Sequence, residues 1–201
     1  MVALRPEIRI IDYSGDVSTA SWLEENAHHA AVFTLKTGTN CVVVDSTDQY
    51  QGMLRNLTFS LSLGSGQLAG TPRLILVSRE GIKTSDGSLS AEQFGRDLAF
   101  AVSKLMESPA RAVEVLGAIG SIEVLDGIES LRDQGEILRD SVRIEHPHWP
   151  AALVASPLLL KLDDIGEGKL FDGVRGPVAF IVELATTAEA LSSAERVMRE
   201  M

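Results

Sequence analysis

The chain reads as an α/β protein, a three-layer α/β/α sandwich around a mostly parallel central sheet. Three observations lead there. Val42-Val43-Val44, closed by Asp45, is a continuous β-branched run of the kind found in strands covered on both faces. Short apolar runs of this type alternate with stretches whose apolar residues recur at helical spacing. Hydroxyl residues stand three positions before Glu or Gln at several of the junctions, the spacing at which an N-cap side chain and an N3 side chain satisfy each other's backbone donors.

Taken in order, Glu7 to Asp12 reads as a first strand that ends in the turn Tyr13-Ser14-Gly15-Asp16. Ser21 and Glu24 then open a helix whose apolar side is Trp22, Leu23, Ala27, Ala30 and Ala31. Ala31 to Lys36 fits either the end of that helix or a short strand leading through Lys36 to Thr39 into the Val42 strand. The Val42 strand is expected at the centre of the sheet, and Ser46 with Gln49 places a helix start immediately after it. Tyr50, Met53, Leu54, Leu57 and Leu61 line that helix, and Gly64-Ser65-Gly66 stops it.

Thr71-Pro72 opens the strand Arg73 to Val77, which ends in Ser78-Arg79-Glu80-Gly81, and Lys83 to Ser88 reads as a loop. Ser90 and Gln93 cap a helix with a buried side of Phe94, Leu98, Ala101, Val102 and Leu105. Ala112 to Leu116 reads as a fourth strand parallel to the others, and Ile122, Leu125, Ile128 and Leu131 as a helix ending near Gly135. A repeated strand-helix order places parallel strands in one sheet with helices on both faces. The expectation is one domain over residues 1–201, with its core in 4–135 and a less regular extension over 136–201. In that extension Val142 to Glu145, Leu158 to Leu162 and Val178 to Leu184 are candidate strands, and Thr186 with Glu189 caps a last helix facing inward through Leu191, Ala194, Met198 and Met201.

Composition narrows the function classes. A net charge of −10 argues against nucleic acid or an anionic membrane as the main partner. Hydrophobic content of 45% contains no apolar run of about 18 residues, and Met1 to Ile11 carries Arg5, Glu7 and Arg9 where a signal peptide is apolar. The single cysteine, Cys41, makes no internal disulfide, which fits a reducing, cytoplasmic setting.

In an open parallel sheet ligands bind beyond the carboxyl ends of the strands. The candidate ligand-binding residues are therefore Asp12, Ser14, Asp45, Ser78, Arg79 and Glu80, with Arg79 either clamping an anion or pairing with Glu80. The competing reading is that these polar groups end strands and cap helices. His146-Pro147-His148 has no carboxylate or cysteine beside it and reads as a surface turn, and His28-His29 sits on a helix. Asp163, Asp164, Glu167 and Asp172 lack an EF-hand's alternation, and neither Ser14 nor Ser65 stands in Gly-x-Ser-x-Gly. No metal site is expected. Cys41, in an apolar strand, reads as a buried inert thiol.

Two family resemblances pass through these residues. Asp12-Tyr13-Ser14-Gly15 resembles the Asp-x-x-Gly element of Ras-like small GTPases, and Val42 to Ser46 is similar to the strand beside it in the Arf-like branch. No Gly-x-x-x-x-Gly-Lys-Ser/Thr loop is present, Gly168-Lys169-Leu170 being the nearest approach, so the resemblance implies a degenerate fold without bound nucleotide or other cofactor. Asp12-x-Ser14-x-Asp16 also resembles the metal-binding turn of von Willebrand factor A-like domains, although Ser78 to Gly81 lacks the distal aspartate. On this basis the expected function is a non-catalytic protein-interaction or self-association module that has lost nucleotide binding. The alternative is a small-molecule enzyme with its site at the carboxyl ends of the parallel strands.

Overall fold

The computed structural model describes residues 40–68, 70–166 and 175–199, all of them in a compact unit formed by residues 38–201. The expected strand at Glu7 to Asp12, the helix from Ser21, and Asp12 and Ser14 themselves lie outside the described residues.

Among the described residues, five strands form the main sheet. They are β1 (Asn40–Val44), β3 (Pro72–Ser78), β6 (Glu136–Arg139), β7 (Leu158–Leu162) and β8 (Val178–Leu184). Their spatial order is β1-β3-β8-β7-β6, parallel throughout except for β6, which runs antiparallel to β7. Beside Asp45, β2 (Ser46–Thr47), β4 (Ile82–Thr84) and β5 (Gly87–Leu89) make a second, small sheet. The helices are α1 (Tyr50–Ser62), α2 (Ala91–Met106), α3 (Pro109–Leu116), α4 (Ile122–Ser130) and α5 (Thr187–Arg199).

The period-two alternation of strand side chains divides the core. On β3, Leu74 and Leu76 face one way with Leu158, Leu160, Phe180 and Val182, and this side is closed by α4 and α5 through Ile128, Ala190, Ala194 and Val197. Ile75 and Val77 face the other way with Leu159 and Ile181, under Leu54, Leu57 and Leu61 of α1 and Phe94, Leu98 and Val102 of α2. Helices thus cover both faces of a mostly parallel sheet, the expected three-layer sandwich. Each fully buried Leu or Phe in these layers is worth roughly 1.5–3 kcal/mol of transfer free energy.

Several elements differ from the sequence reading. Residues 112–116 are the end of α3 and not a strand. Pro109 supplies a pre-set φ at the first turn and Ala112, Val113 and Leu116 form one buried face, a spacing that a five-residue apolar run conceals. β1 is the outermost strand of the sheet among the described residues, with only Val44 fully buried; a β-branched run reports strand pairing but not the number of neighbours. The inner strands β7 and β8 come instead from the stretch beyond residue 135.

Ser46 lies in β2 and does not cap a helix. α1 begins at Tyr50, and the Gln49 N–H donates to Thr47 Oγ1 at 3.1 Å. Lys83 to Ser88 is the β4–β5 hairpin, and Val142 to Glu145 contributes only the isolated bridge Arg143–Ala155. α5 faces inward through Ala190, Ala194 and Val197, while Leu191 is 53% exposed. The caps at Ser90 and Thr186 do form, each hydroxyl accepting the N–H three residues on.

Candidate functional site

Of the sequence candidates that are described, Asp45, Ser78 and Arg79 are engaged by the protein itself. The carboxylate of Asp45, at the end of β1, accepts the hydroxyl of Thr187 in the first turn of α5. Buried Ser78 accepts the Glu80 N–H at 3.1 Å. Arg79 pairs with Glu183 of β8 at 3.4 Å and not with Glu80, because parallel neighbours β3 and β8 bring their carboxyl ends together. Glu80 lies exposed at the turn into β4. His146 accepts the N–H groups of His148 and Trp149 through Nδ1, forming a turn. No cluster of three or more metal-ligating side chains occurs among the described residues.

A different region, at the amino ends of the strands, carries backbone strain. The segment joining α1 to β3 passes through three successive residues with positive φ, Gly64 (+61°), Ser65 (+54°) and Gly66 (+63°). Glycine takes this conformation freely, but a serine there costs roughly 1–2 kcal/mol. Ser65 is fully buried all the same, and its hydroxyl donates to the carbonyls of Leu116 (3.0 Å) and Gly117 (3.4 Å). Strain of this kind persists where surrounding contacts over-determine the geometry, which is most often at functional sites.

Those contacts are specific. Gln67 Nε2 donates to the carbonyls of Gly64 and Ala118, both at 3.1 Å, while its Oε1 accepts the Gly120 N–H at 3.0 Å. Arg73, at the start of β3, donates from Nη1 to the Gly176 carbonyl (3.1 Å) and from Nη2 to the Gly66 carbonyl (2.8 Å). A Cβ on Gly66 would lie 2.5 Å from the Gly176 carbonyl oxygen, so glycine is required by contact as well as by φ. These bonds tie Ser65, Gln67 and Arg73 to residues 116–120 and to Gly176. Where the segment enters β3, the hydroxyl of buried Thr71 has no hydrogen-bond partner among the described residues.

Alongside lies a cleft of about 640 Å³ between β1 and α1, bordered by Asn40, Cys41, Asn56, Ser60, Gly70 and Pro72. No charged side chain among the described residues lines it. Burial pushes the Cys41 thiol up from 9.0 to about 11, so it is protonated at neutral pH and a poor nucleophile.

Sequence reasoning saw Gly64-Ser65-Gly66 only as a helix stop. Glycine at a helix end signals a left-handed residue there, but no local pattern signals the same conformation at Ser65.

No protein-family model and no curated protein matches the chain. Among solved structures, an NAD-dependent aldehyde dehydrogenase from Burkholderia multivorans is 41% identical with a TM-score of 0.81, covering 98% of this chain and 35% of that one. The bifunctional proline utilization A protein shares 16% identity at a TM-score of 0.62, over 90% of this chain and 18% of that one. A putative methylmalonate-semialdehyde dehydrogenase from Sinorhizobium meliloti, solved with NAD, shares 16% identity at a TM-score of 0.59, over 78% of this chain and 31% of that one. The chain therefore spans about a third of the length of the Burkholderia protein.

These similarities overturn two expectations. The fold is a dehydrogenase-like, Rossmann-type α/β sandwich and not that of a Ras-like or Arf-like GTPase or a von Willebrand factor A-like domain. Asp-x-x-Gly and Asp-x-Ser are short enough to arise at any strand end where polar residues terminate pairing. The reading as a non-catalytic, pseudo-GTPase-like interaction module falls with them, because the similar structures are of catalytic proteins, and the alternative of a small-molecule enzyme fits better.

NAD, present in one of those structures, finds no pyrophosphate cradle among the described residues. Such a cradle is a glycine-rich turn from a strand into an uncapped helix N-terminus. The turn from β1 into α1 contains Asp45 and Asp48 and no glycine. The start of α5 is filled by its own side chains, Glu189 accepting the Ala185 N–H and Thr186 the Glu189 N–H. β3 leads into a hairpin and not a helix.

Proposed function

We propose that this chain is the aldehyde-binding portion of an NAD-dependent aldehyde oxidoreductase. The observation that carries the reading is its 41% identity to an NAD-dependent aldehyde dehydrogenase over 98% of its own length. The strained turn Gly64-Ser65-Gly66 and the cleft that runs along β1 from Asn40 to Thr47 and Gln49 support a substrate site between β1 and α1. In this reading the nucleotide is held by polypeptide other than the described residues, because the turn into α1 carries Asp45 and Asp48 and no glycine, and the start of α5 is filled by its own side chains. The chain's part is to bind the aldehyde, orient its carbonyl and shield it from water.

Addition of a nucleophile to the carbonyl precedes oxidation, and the protonated Cys41 thiol does not serve as that nucleophile. A cytoplasmic setting accompanies the proposal, since its one cysteine forms no internal disulfide.

The test is calorimetric titration of the purified chain with a panel of aliphatic and carboxylated aldehydes. Saturable binding of at least one aldehyde supports the proposal. No binding of any aldehyde overturns it.

A further inference from the structure

A smaller cavity, of about 140 Å³, lies beneath the first turns of α2 at the carboxyl ends of β7 and β8, the end of the sheet away from the strained turn. The sheet register builds it. Ile181 of β8 is paired with Lys161 of β7, and Lys161 with Glu136 of β6, so these side chains stand in one row on the face that α2 covers. Glu183, two residues beyond Ile181, stands on the same face. Leu138 and Ile181 make an apolar floor. Above it α2 carries Gly95, where a Cβ would lie 3.0 Å from Leu138 Cδ1 and 3.9 Å from Ile181 Cδ1. Glycine inside a helix costs roughly 0.5–1 kcal/mol relative to alanine, and here its missing side chain leaves the space open.

The charges around this floor are of both signs. Glu92 and Arg96 of α2 satisfy each other as an i, i+4 pair. Lys161 and Glu183 do not. They are diagonal neighbours on adjacent strands, with Cα atoms about 8 Å apart for a strand spacing of about 4.8 Å and a rise of about 3.3 Å per residue. Each turns away from the other. Among the described residues the ionic partner of Lys161 is Glu136 of β6 at 3.9 Å, and that of Glu183 is Arg79, at the end of β3, at 3.4 Å. The strand order β3-β8-β7-β6 thus sets out Arg79, Glu183, Lys161 and Glu136 in turn, with ion pairs at the two outer steps and the cavity at the middle one. The side chains of Lys161 and Glu183 are 31% and 30% exposed, so the space between them is partly shielded from water, where ionic contacts are stronger than on an open surface.

That space suits a ligand with two opposite charges close together. A lone carboxylate that reached Lys161 would also face Glu183 and Glu136, and a lone ammonium that reached Glu183 would face Lys161. An α-amino acid carries its charges on neighbouring carbon atoms and meets each residue with the opposite sign, through a charge-assisted hydrogen bond of about 2.8 Å at either end. The volume equals that of about four or five water molecules, which limits the ligand to a small side chain. Ligands in open α/β sheets bind outside the carboxyl ends of the strands, where this cavity opens.

We propose that the cavity between α2 and the carboxyl ends of β7 and β8 binds a small zwitterionic α-amino acid, its carboxylate on Lys161 and its ammonium on Glu183. The site is separate from the cleft between β1 and α1 and stands independently of the aldehyde reading.

The experiment titrates the whole chain by calorimetry with glycine, L-alanine and L-serine, and with acetate, methylammonium and inorganic phosphate as ligands of one sign only. It is run on the wild type and on Lys161→Gln, Glu183→Gln and Gly95→Ala. The expected result is saturable binding of at least one amino acid, about tenfold or more tighter than acetate, methylammonium or phosphate. That binding is expected to weaken about tenfold or more in Lys161→Gln and in Glu183→Gln, with the melting temperature within a few degrees of wild type. Gly95→Ala pushes the flexible end of Leu138 into the cavity and is expected to weaken binding too. Alanine is the better helix former, so this variant keeps the test decisive if a charge variant fails to fold. No binding of any of the three amino acids, or wild-type affinity in any of the three variants, overturns the site. Acetate or phosphate binding as tightly as the best amino acid and lost in Lys161→Gln, or methylammonium doing so and lost in Glu183→Gln, overturns the zwitterion assignment.

Discussion

Ser65 donates its hydroxyl to the carbonyl of Leu116 at 3.0 Å from a left-handed backbone conformation that serine rarely adopts. The hydrogen bond and the strain oppose each other at one residue, and two substitutions separate them. Ser65→Ala removes the bond and keeps the strain, with an expected loss of about 1–3 kcal/mol. Ser65→Gly removes both and is expected to be less damaging by about 1 kcal/mol. Chemical denaturation measures the pair; a glycine variant less stable than the alanine variant contradicts the strain.

Gly66→Ala forces a methyl to within 2.5 Å of the Gly176 carbonyl at a positive φ. We expect a loss of more than about 2 kcal/mol, because the clash falls where Arg73 bonds both carbonyls of that contact. Chemical denaturation reads the effect, and a wild-type value would remove the contact's importance.

Cys41 imposes a pH dependence. Its folded pKa of about 11 lies above the ordinary 9.0, so the folded state holds the thiol proton more tightly than the unfolded chain does. The associated stability is complete below about pH 9 and is lost as the pH rises toward 11. Cys41→Ala is expected to flatten that alkaline decline. An unaltered alkaline slope argues against a buried thiol.

The two faces of the sheet differ from its edge. Leu76 is completely buried in β3, so Leu76→Ala is expected to cost about 2–5 kcal/mol, whereas Val43 on half-buried β1 is expected to cost less than about half as much. Equal losses in thermal melts would mean that β1 is covered as fully as β3.

Much of the scaffold was legible from local chemistry. Ser90 and Thr186 are caps because their hydroxyls reach an N–H three residues on, and Leu54, Leu57 and Leu61 fix the inward side of α1 by spacing alone. Ala112 to Leu116 misled because five apolar residues carry too little periodicity to separate a strand from a buried helix end, and Pro109 was the better guide. The candidate site was hidden for another reason. Arg73 and Gly176 are 103 positions apart, and no local pattern announces that β3 and β8 are neighbours. The visible carboxylates and arginine at the strand ends, Asp45, Ser78, Arg79 and Glu80, drew attention by residue type, yet Asp45, Ser78 and Arg79 are occupied in holding elements together.

The position of β8 between β3 and β7 sets the timing of assembly. Its residues, Val178–Leu184, leave the ribosome after both neighbours, so until then β3 and β7 each present an unpaired row of backbone N–H and C=O groups with nothing between them. The sheet closes by insertion of a late strand and not by growth from one side, a long-range step that delays folding and leaves nascent chains dependent on protection from edge-to-edge association.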